Sequence, residues 1–97
     1  MVRHIVLFKF RDEVTWADPR AQRAEQASQQ HPHNIPDILS WECGRNITER
    51  LIAYDFGIVG KFVDYSAVLR YLVHPDHVEG AELWRQIATW IVVDFTD

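Results

Sequence analysis

The chain begins with a stretch in which β-branched and aromatic side chains point alternately to two sides, a pattern typical of a strand that is apolar on both faces. This pattern predicts strand 1 over Val2–Arg11, with His4 as the one polar side chain in its otherwise apolar row. Later stretches with the same two-residue period predict three further strands, Ile38–Ile47, Ala53–Phe62 and Trp90–Phe95. Gly57 and Gly60 within the third strand predict a bulge or a close approach of another group.

Good helix formers follow the first strand and predict a first helix. This helix begins at Thr15 or Asp18, either of which can cap it, and ends near Gln30. Its apolar side is thin and consists of alanines only, Ala17, Ala21, Ala24 and Ala27. The next segment, His31–Asp37, contains two prolines and is predicted to be the main loop.

Two more helices are predicted between the third strand and the last one. Asp64 is a good N-cap for a helix that Pro75 ends, because the residue before a proline is pushed out of the helical region. Pro75 also starts the third helix, since it needs no N–H group at that position, and this helix runs to about Ala88.

The resulting order of elements, β-α-β-β-α-α-β, predicts an α+β fold with a ferredoxin-like protomer. Its four-stranded antiparallel sheet carries all of its helices on one face. The strands are nevertheless apolar on both faces, so the bare face needs a cover. A second copy of the chain can supply it, and we therefore expect a homodimer in which two sheets meet as a dimeric α/β barrel.

Composition and charge narrow the range of partners and locations. With 97 residues, the chain is predicted to form a single domain over residues 1–97. Ten basic residues stand against fourteen acidic ones and are scattered, which disfavours nucleic acid as a partner. We also expect no signal peptide, no membrane segment and, because Cys43 has no partner for a disulfide, a cytoplasmic location.

Four pieces of the chain, in this order and spacing, resemble the stress-responsive dimeric α/β-barrel (Dabb) family. These are Arg3–Phe10, Gly44–Ile47, Tyr71 followed by His74–His77, and the closing Val92–Phe95. The resemblance spans nearly the whole chain and implies a ferredoxin-like protomer and a homodimeric barrel. The family contains stress-associated proteins and also polyketide cyclases of the olivetolic acid cyclase type, so the fold alone does not select a function.

The resemblance implies two catalytic residues, because a tyrosine late in the second helix and the second histidine of a His-Pro-x-His motif act in the cyclases. These positions are Tyr71 and His77, which are expected to serve as oxyanion donor and general base. Taken without the resemblance, the residues favour a core histidine held by a backbone carbonyl and an ordinary tyrosine of an amphipathic helix. The side chains expected to bind a substrate beside them are His4, Phe8, Ile58 and Trp84.

The positions of the other histidines favour structural roles or exposure to solvent. His4 needs a hydrogen-bond partner inside a barrel, and Asp55 is a chemically suitable one. His74 is expected to cap the third helix, whereas His31 and His33 are expected to be solvated in the loop. No cysteine and histidine spacing fits a zinc site, so neither a metal nor another cofactor is expected.

The expected function is a cofactor-independent lyase or cyclase that acts on a β-keto, polyketide-like substrate. Positions that line the alkyl-tail pocket of the cyclases correspond here to Arg23, Gln26 and Ala88, which favours a smaller or more polar substrate. One alternative is a non-catalytic, stress-associated or ligand-binding dimer, and another is a cofactorless monooxygenase. An open cavity that reaches Tyr71 and His77 would favour the enzyme, and a filled space would favour the non-catalytic dimer.

Overall fold

A computed structural model describes residues 1–97 and confirms the predicted order of strands and helices. The strands and helices are β1 (Val2–Phe10), α1 (Pro19–Asn34), β2 (Ser40–Arg45), β3 (Phe56–Phe62), α2 (Tyr65–Val73), α3 (Pro75–Arg85) and β4 (Ala88–Thr96). The strands form one antiparallel sheet in the order β2-β3-β1-β4, so the first strand is central and the last is an edge. This is the ferredoxin-like α+β arrangement.

Strands β2 and β3 are shorter than the alternating patterns predict. The residues between them, 46–55, form a connection in which the side chains of Ile47 and Leu51 are almost fully exposed. Ile47 is the last residue of the predicted second strand, although no residue of a neighbouring strand pairs with it. At the other end of the chain, α3 stops at Arg85, and β4 begins two residues earlier than predicted, at Ala88, because Ala88 pairs with Phe10.

The prediction that a loop begins at His31 is wrong, because α1 continues through Pro32 to Asn34. Pro32 has no N–H group to donate to the carbonyl of Ser28 four residues earlier. That carbonyl instead accepts a hydrogen bond of 3.0 Å from Nε1 of Trp41 in β2. The proline therefore leaves no unsatisfied group, and the helix keeps His31 on its buried face.

The helices cover one face of the sheet and bury the core against it. Trp84 and Phe56 are among the largest fully buried side chains, and α1 adds its alanines Ala21 and Ala24. Gly60 confirms the predicted close approach, since a Cβ atom there would lie 3.0 Å from the ring of Trp41. The strand pairing runs through Gly60 without interruption, so no bulge forms.

The junction of α2 and α3 is organised by two caps. The Asp64 side chain accepts a 2.9 Å hydrogen bond from the N–H of Ala67 and starts α2. The predicted cap of α3 is found, because Nδ1 of His74 accepts a 3.1 Å hydrogen bond from the N–H of Asp76. No helix of the protein has the length and apolar character needed to cross a membrane.

Candidate active site

A partly enclosed cavity of about 150 Å³ lies between the covered face of the sheet and the three helices. The structure brings all six residues that the sequence predicts for the site to its wall, namely His4, Phe8, Ile58, Tyr71, His77 and Trp84. Two residues of the edge strand, Trp90 and Val92, complete the wall on one side. The cavity is partly open to solvent, and the exposed Val92 forms part of its wall. The catalytic and binding roles of these residues remain predictions.

Tyr71 projects from the last turns of α2 and is buried, with 2% of its surface exposed. Its ring centre lies 4.4 Å from that of His77. Burial raises the pKa of Tyr71 above its usual value, and the negative charge of Asp94 adds to the effect. The phenol therefore keeps its proton at neutral pH and can donate a hydrogen bond to a ligand oxygen.

His77 lies in the first turn of α3, where its ring is held by the end of α2. Its Nδ1 lies 3.0 Å from the carbonyl oxygen of Leu72, so this nitrogen is the one that donates. The Leu72 carbonyl is free for this bond because the N–H of Asp76, four residues later, is taken by His74. The remaining nitrogen, Nε2, then carries a lone pair.

Burial lowers the pKa of His77 to about 4, and the hydrogen bond to Leu72 opposes this shift. Nearby positive charge on His31 and His4 would lower the pKa further. The imidazole is therefore neutral at pH 7, the protonation state that a general base requires.

His4 has a different partner from the one that the sequence suggests. Its Nδ1 lies 2.5 Å from Oδ1 of Asp94, which sits directly opposite His4 on the neighbouring strand β4. Asp55, the predicted partner, precedes β3 and accepts a 2.8 Å hydrogen bond from the N–H of Phe10 instead. The pairing register of β1 with β4, which the sequence does not show, decides between the two carboxylates.

His31 is a cavity residue that sequence reasoning placed in solvent, and that prediction is wrong. Only 3% of its surface is exposed, and its Nδ1 lies 2.7 Å from Oδ2 of Asp76 in α3. Its ring centre lies 6.0 Å from that of His77 and 6.4 Å from that of Tyr71. The helical spacing of the buried positions could have found it, since His31 continues the series Ala21, Ala24 and Ser28.

The apolar wall of the cavity is fixed by aromatic contacts. Phe8 and Trp84 stack with ring centres 4.0 Å apart and planes inclined by 19°. The indole Nε1 of Trp84 donates a 2.9 Å hydrogen bond to Oγ of Ser28, which sets the orientation of its ring. This surface suits the flat or hydrocarbon part of a small ligand.

Several polar atoms of the wall lack a partner within the protein. His4 and His31 use only Nδ1, and the hydroxyl of Tyr71 makes no hydrogen bond to the chain. Every fully buried side-chain nitrogen or oxygen has a hydrogen-bond partner in the protein. The unpaired atoms of His4, His31 and Tyr71 are therefore not fully buried, and because these residues line the cavity, the atoms face it. They are therefore available to a ligand. The acidic and imidazole groups do not converge in sets of three or more suited to a metal ion.

The positions that correspond to the alkyl-tail pocket of the cyclases take no part in the cavity. Arg23 and Gln26 are exposed on α1, and Ala88 is buried outside the cavity wall. No apolar tunnel therefore extends from the cavity at these positions.

The chain is similar to known proteins over nearly its whole length. The family model described as Stress responsive A/B Barrel Domain matches residues 2–97. An uncharacterised protein of Streptomyces coelicolor is 44% identical over 95 residues, which cover 98% of each chain. Among solved structures, a dimeric ferredoxin-like protein of unknown function from Bacteroides fragilis is 26% identical with a TM-score of 0.87, over 99% of this chain and 95% of that one.

A more distant structural neighbour is an enzyme. The hydroxynitrile lyase of Passiflora edulis superimposes with a TM-score of 0.80 over 97% of this chain and 90% of its own. Its sequence is 15% identical, so this likeness concerns the fold alone.

Proposed function

The chain belongs to the Stress responsive A/B Barrel Domain family, and on that basis we propose that it is a homodimeric, cytoplasmic, cofactor-independent lyase or cyclase for small β-keto compounds. The observation that carries the proposal is the open cavity, which Tyr71 and His77 both reach. A filled space at this position would have left both residues with packing roles only.

The chemistry proposed for the site begins with proton transfer. Nε2 of His77 takes a proton from the carbon next to a carbonyl group, because its Nδ1–H is already committed to Leu72. The hydroxyl of Tyr71 donates a hydrogen bond to the oxygen on which the negative charge develops. In a cyclase, the resulting enolate attacks a second carbonyl group, and the alkoxide that forms takes the proton back from His77. In a lyase the steps run in reverse: His77 removes the proton of a β-hydroxyl group, the carbon–carbon bond breaks, and the released enolate takes the proton on carbon.

The size of the cavity limits the substrate. At about 150 Å³ it has the volume of a cavity that holds a single benzene molecule. The exposed Arg23 and Gln26 add no apolar extension. A substrate of roughly six to ten non-hydrogen atoms fits this space, which favours short keto compounds over long-chain polyketides.

The proposed dimer follows from the bare face of the sheet. The residues on that face include Leu7, Ile91 and Val93, and the last two expose more than half of their surface. A contiguous apolar patch of this kind is typical of an interface between proteins. The Bacteroides fragilis structure is described as dimeric, which also supports a dimer here.

The enzymatic proposal is tested with a panel of short β-keto acids and thioesters, to which a small cyanohydrin is added because of the Passiflora edulis neighbour. Carbon–carbon bond formation and cleavage are followed by NMR. On any substrate that is turned over, His77→Ala should lower the turnover number by on the order of 10²–10⁴-fold, as expected for a lost general base.

Two further variants sharpen this test. Tyr71→Phe should lower turnover more than it weakens binding, because its hydrogen bond strengthens as charge develops. His33→Ala removes an exposed histidine of α1 and should leave turnover unchanged. Unchanged turnover in His77→Ala would overturn the assignment of the base, and binding of the panel without any turnover would favour a non-catalytic ligand-binding dimer.

A further inference from the structure

The His31 side chain of α1 packs against α3 and β2. The carboxylate of Asp76 in α3 fixes Nδ1 of the ring at 2.7 Å, and the ring of Trp41 lies edge-on at 5.9 Å. Gly80 provides the space, since a Cβ atom at that residue would lie 2.8 Å from both Cε1 and Nε2 of His31. The ring is thus held on three sides, and any residue larger than glycine at position 80 would displace it.

The hydrogen-bonding role of His31 follows from this arrangement. The carboxylate can only accept, so Nδ1 of His31 carries a proton, and in the neutral ring Nε2 presents a lone pair. Nε2 has no partner in the protein, yet no fully buried side-chain polar atom is left unpaired, so this nitrogen is open to the cavity. It is therefore an acceptor at the wall, whereas the hydroxyl of Tyr71 is a donor.

We infer that His31 is a binding residue that accepts a hydrogen bond from a hydroxyl group of the ligand while Tyr71 donates one to a carbonyl oxygen of the same molecule. The inference rests on the proposed function only in taking the cavity as the substrate site. It names the substrate class as small hydroxy ketones, or the enols of small diketones, which carry the same two groups. With ring centres 6.4 Å apart, His31 and Tyr71 can contact two oxygens of one short molecule.

A matched pair of ligands tests this inference on the full-length protein. 4-Hydroxy-2-butanone and 2-pentanone have the same number of non-hydrogen atoms and differ by a hydroxyl group in place of a methyl group. A buried acceptor that is left unpaired lowers affinity by roughly tenfold or more. We therefore expect the hydroxy ketone to bind at least about tenfold more tightly in an NMR titration. Equal binding of the two ketones, or no binding of either, would overturn the inference.

Variants assign the preference to His31. His31→Leu should remove the preference for the hydroxy ketone, and Gly80→Ala should reduce it although the histidine is still present, because the added Cβ displaces the ring. His33→Ala, two residues away on the exposed side of α1, is the matched control and should keep the preference. A preference that survives in His31→Leu would overturn the inference.

A measurement on the unmodified protein decides the matter should His31→Leu fail to fold. The nitrogen resonance of His31 Nε2 should shift when 4-hydroxy-2-butanone is added and stay in place with 2-pentanone. The absence of a selective shift would overturn the inference. A selective shift without turnover of any keto compound would overturn the proposed lyase or cyclase and leave the binding role of His31 intact.

Discussion

The two faces of the sheet differ in how their side chains are paired and covered. The face under the helices contains His4, yet this histidine has Asp94 as its partner and the cavity beside it. The opposite face carries apolar side chains that nothing in the chain covers. One face thus contains paired polar side chains within a packed core, and the other is suited to association with a second copy of the chain. Val6 and Leu7, which are neighbours in β1, therefore contribute to the core and to the expected interface, respectively.

The largest effects are expected from an aspartate at Val6 or at Leu7, and the two outcomes should differ. Val6→Asp places an unpaired charge in the core, where Val6 is 5% exposed, and its cost of several kcal/mol is comparable with the whole stability of a small domain. We expect this variant not to fold, as judged by circular dichroism. Leu7→Asp changes the bare face and should instead shift the protein from dimer to monomer in sedimentation experiments.

Two outcomes would contradict this contrast. A Leu7→Asp variant that remains dimeric at micromolar concentration would place the interface elsewhere. A wild-type protein that sediments as a stable, folded monomer of 11.4 kDa would show that the bare face needs no partner.

A smaller effect on stability is expected at low pH, where His77 on the covered side of the sheet takes up a proton. The folded protein keeps the pKa of His77 at about 4, whereas the unfolded chain has the ordinary value near 6.5. Between these values the unfolded state binds more protons, so the free energy of unfolding should fall as the pH is lowered from about 6.5 to about 4. The full pKa difference corresponds to about 3 kcal/mol. Because His77 is only half-buried and solvent screens it, the expected loss is about 2 kcal/mol, measured by urea denaturation.

His77→Gln is the control for this pH dependence. Paired carboxyl groups such as Asp37 and Glu25 have pKa values lowered by arginine partners, so their contribution to stability is lost only as the pH falls below about their ordinary values. The variant should therefore flatten the curve between pH 6.5 and 4.5. An unchanged slope in His77→Gln would mean that other groups cause the acid sensitivity.

The smallest expected effect concerns α1, the helix with the thinnest apolar side on the covered face. Its buried positions are small or polar, Ala21, Ala24, Ser28 and His31, whereas β1 is central and paired on both sides. Backbone amides of α1 should therefore exchange with solvent faster than those of β1 in hydrogen-exchange mass spectrometry. Slower exchange in α1 would show that its contacts with α3 stabilise it more than its small side chains suggest.

The order of elements was predictable because it depends on local patterns, the alternation in the strands and the caps at Asp64 and His74. The errors arose where a distant residue decides the outcome. Pro32 stops a helix on local grounds, but Trp41 supplies the missing donor from another strand. Asp94 could not be chosen over Asp55 without the register of β1 and β4.

The candidate site divides in the same way. Tyr71 and His77 were predicted through the resemblance to the family, and the packing of α2 and α3 brings their rings together. His31 was missed because its burial depends on the continuation of α1 and on the absence of a side chain at Gly80. The cavity itself is the space left over after packing, which no local pattern encodes.

The hydrogen bond from Trp41 to the Ser28 carbonyl couples substitutions at separate sites. Replacing Trp41 with a residue that has no donor would leave this carbonyl unpaired while Pro32 is present. With an ordinary residue at position 32, the backbone N–H would supply the donor, and the same change would be better tolerated. The cost of replacing Trp41 therefore depends on the residue at position 32. The order in which the two substitutions arise decides whether a descendant of this chain tolerates them.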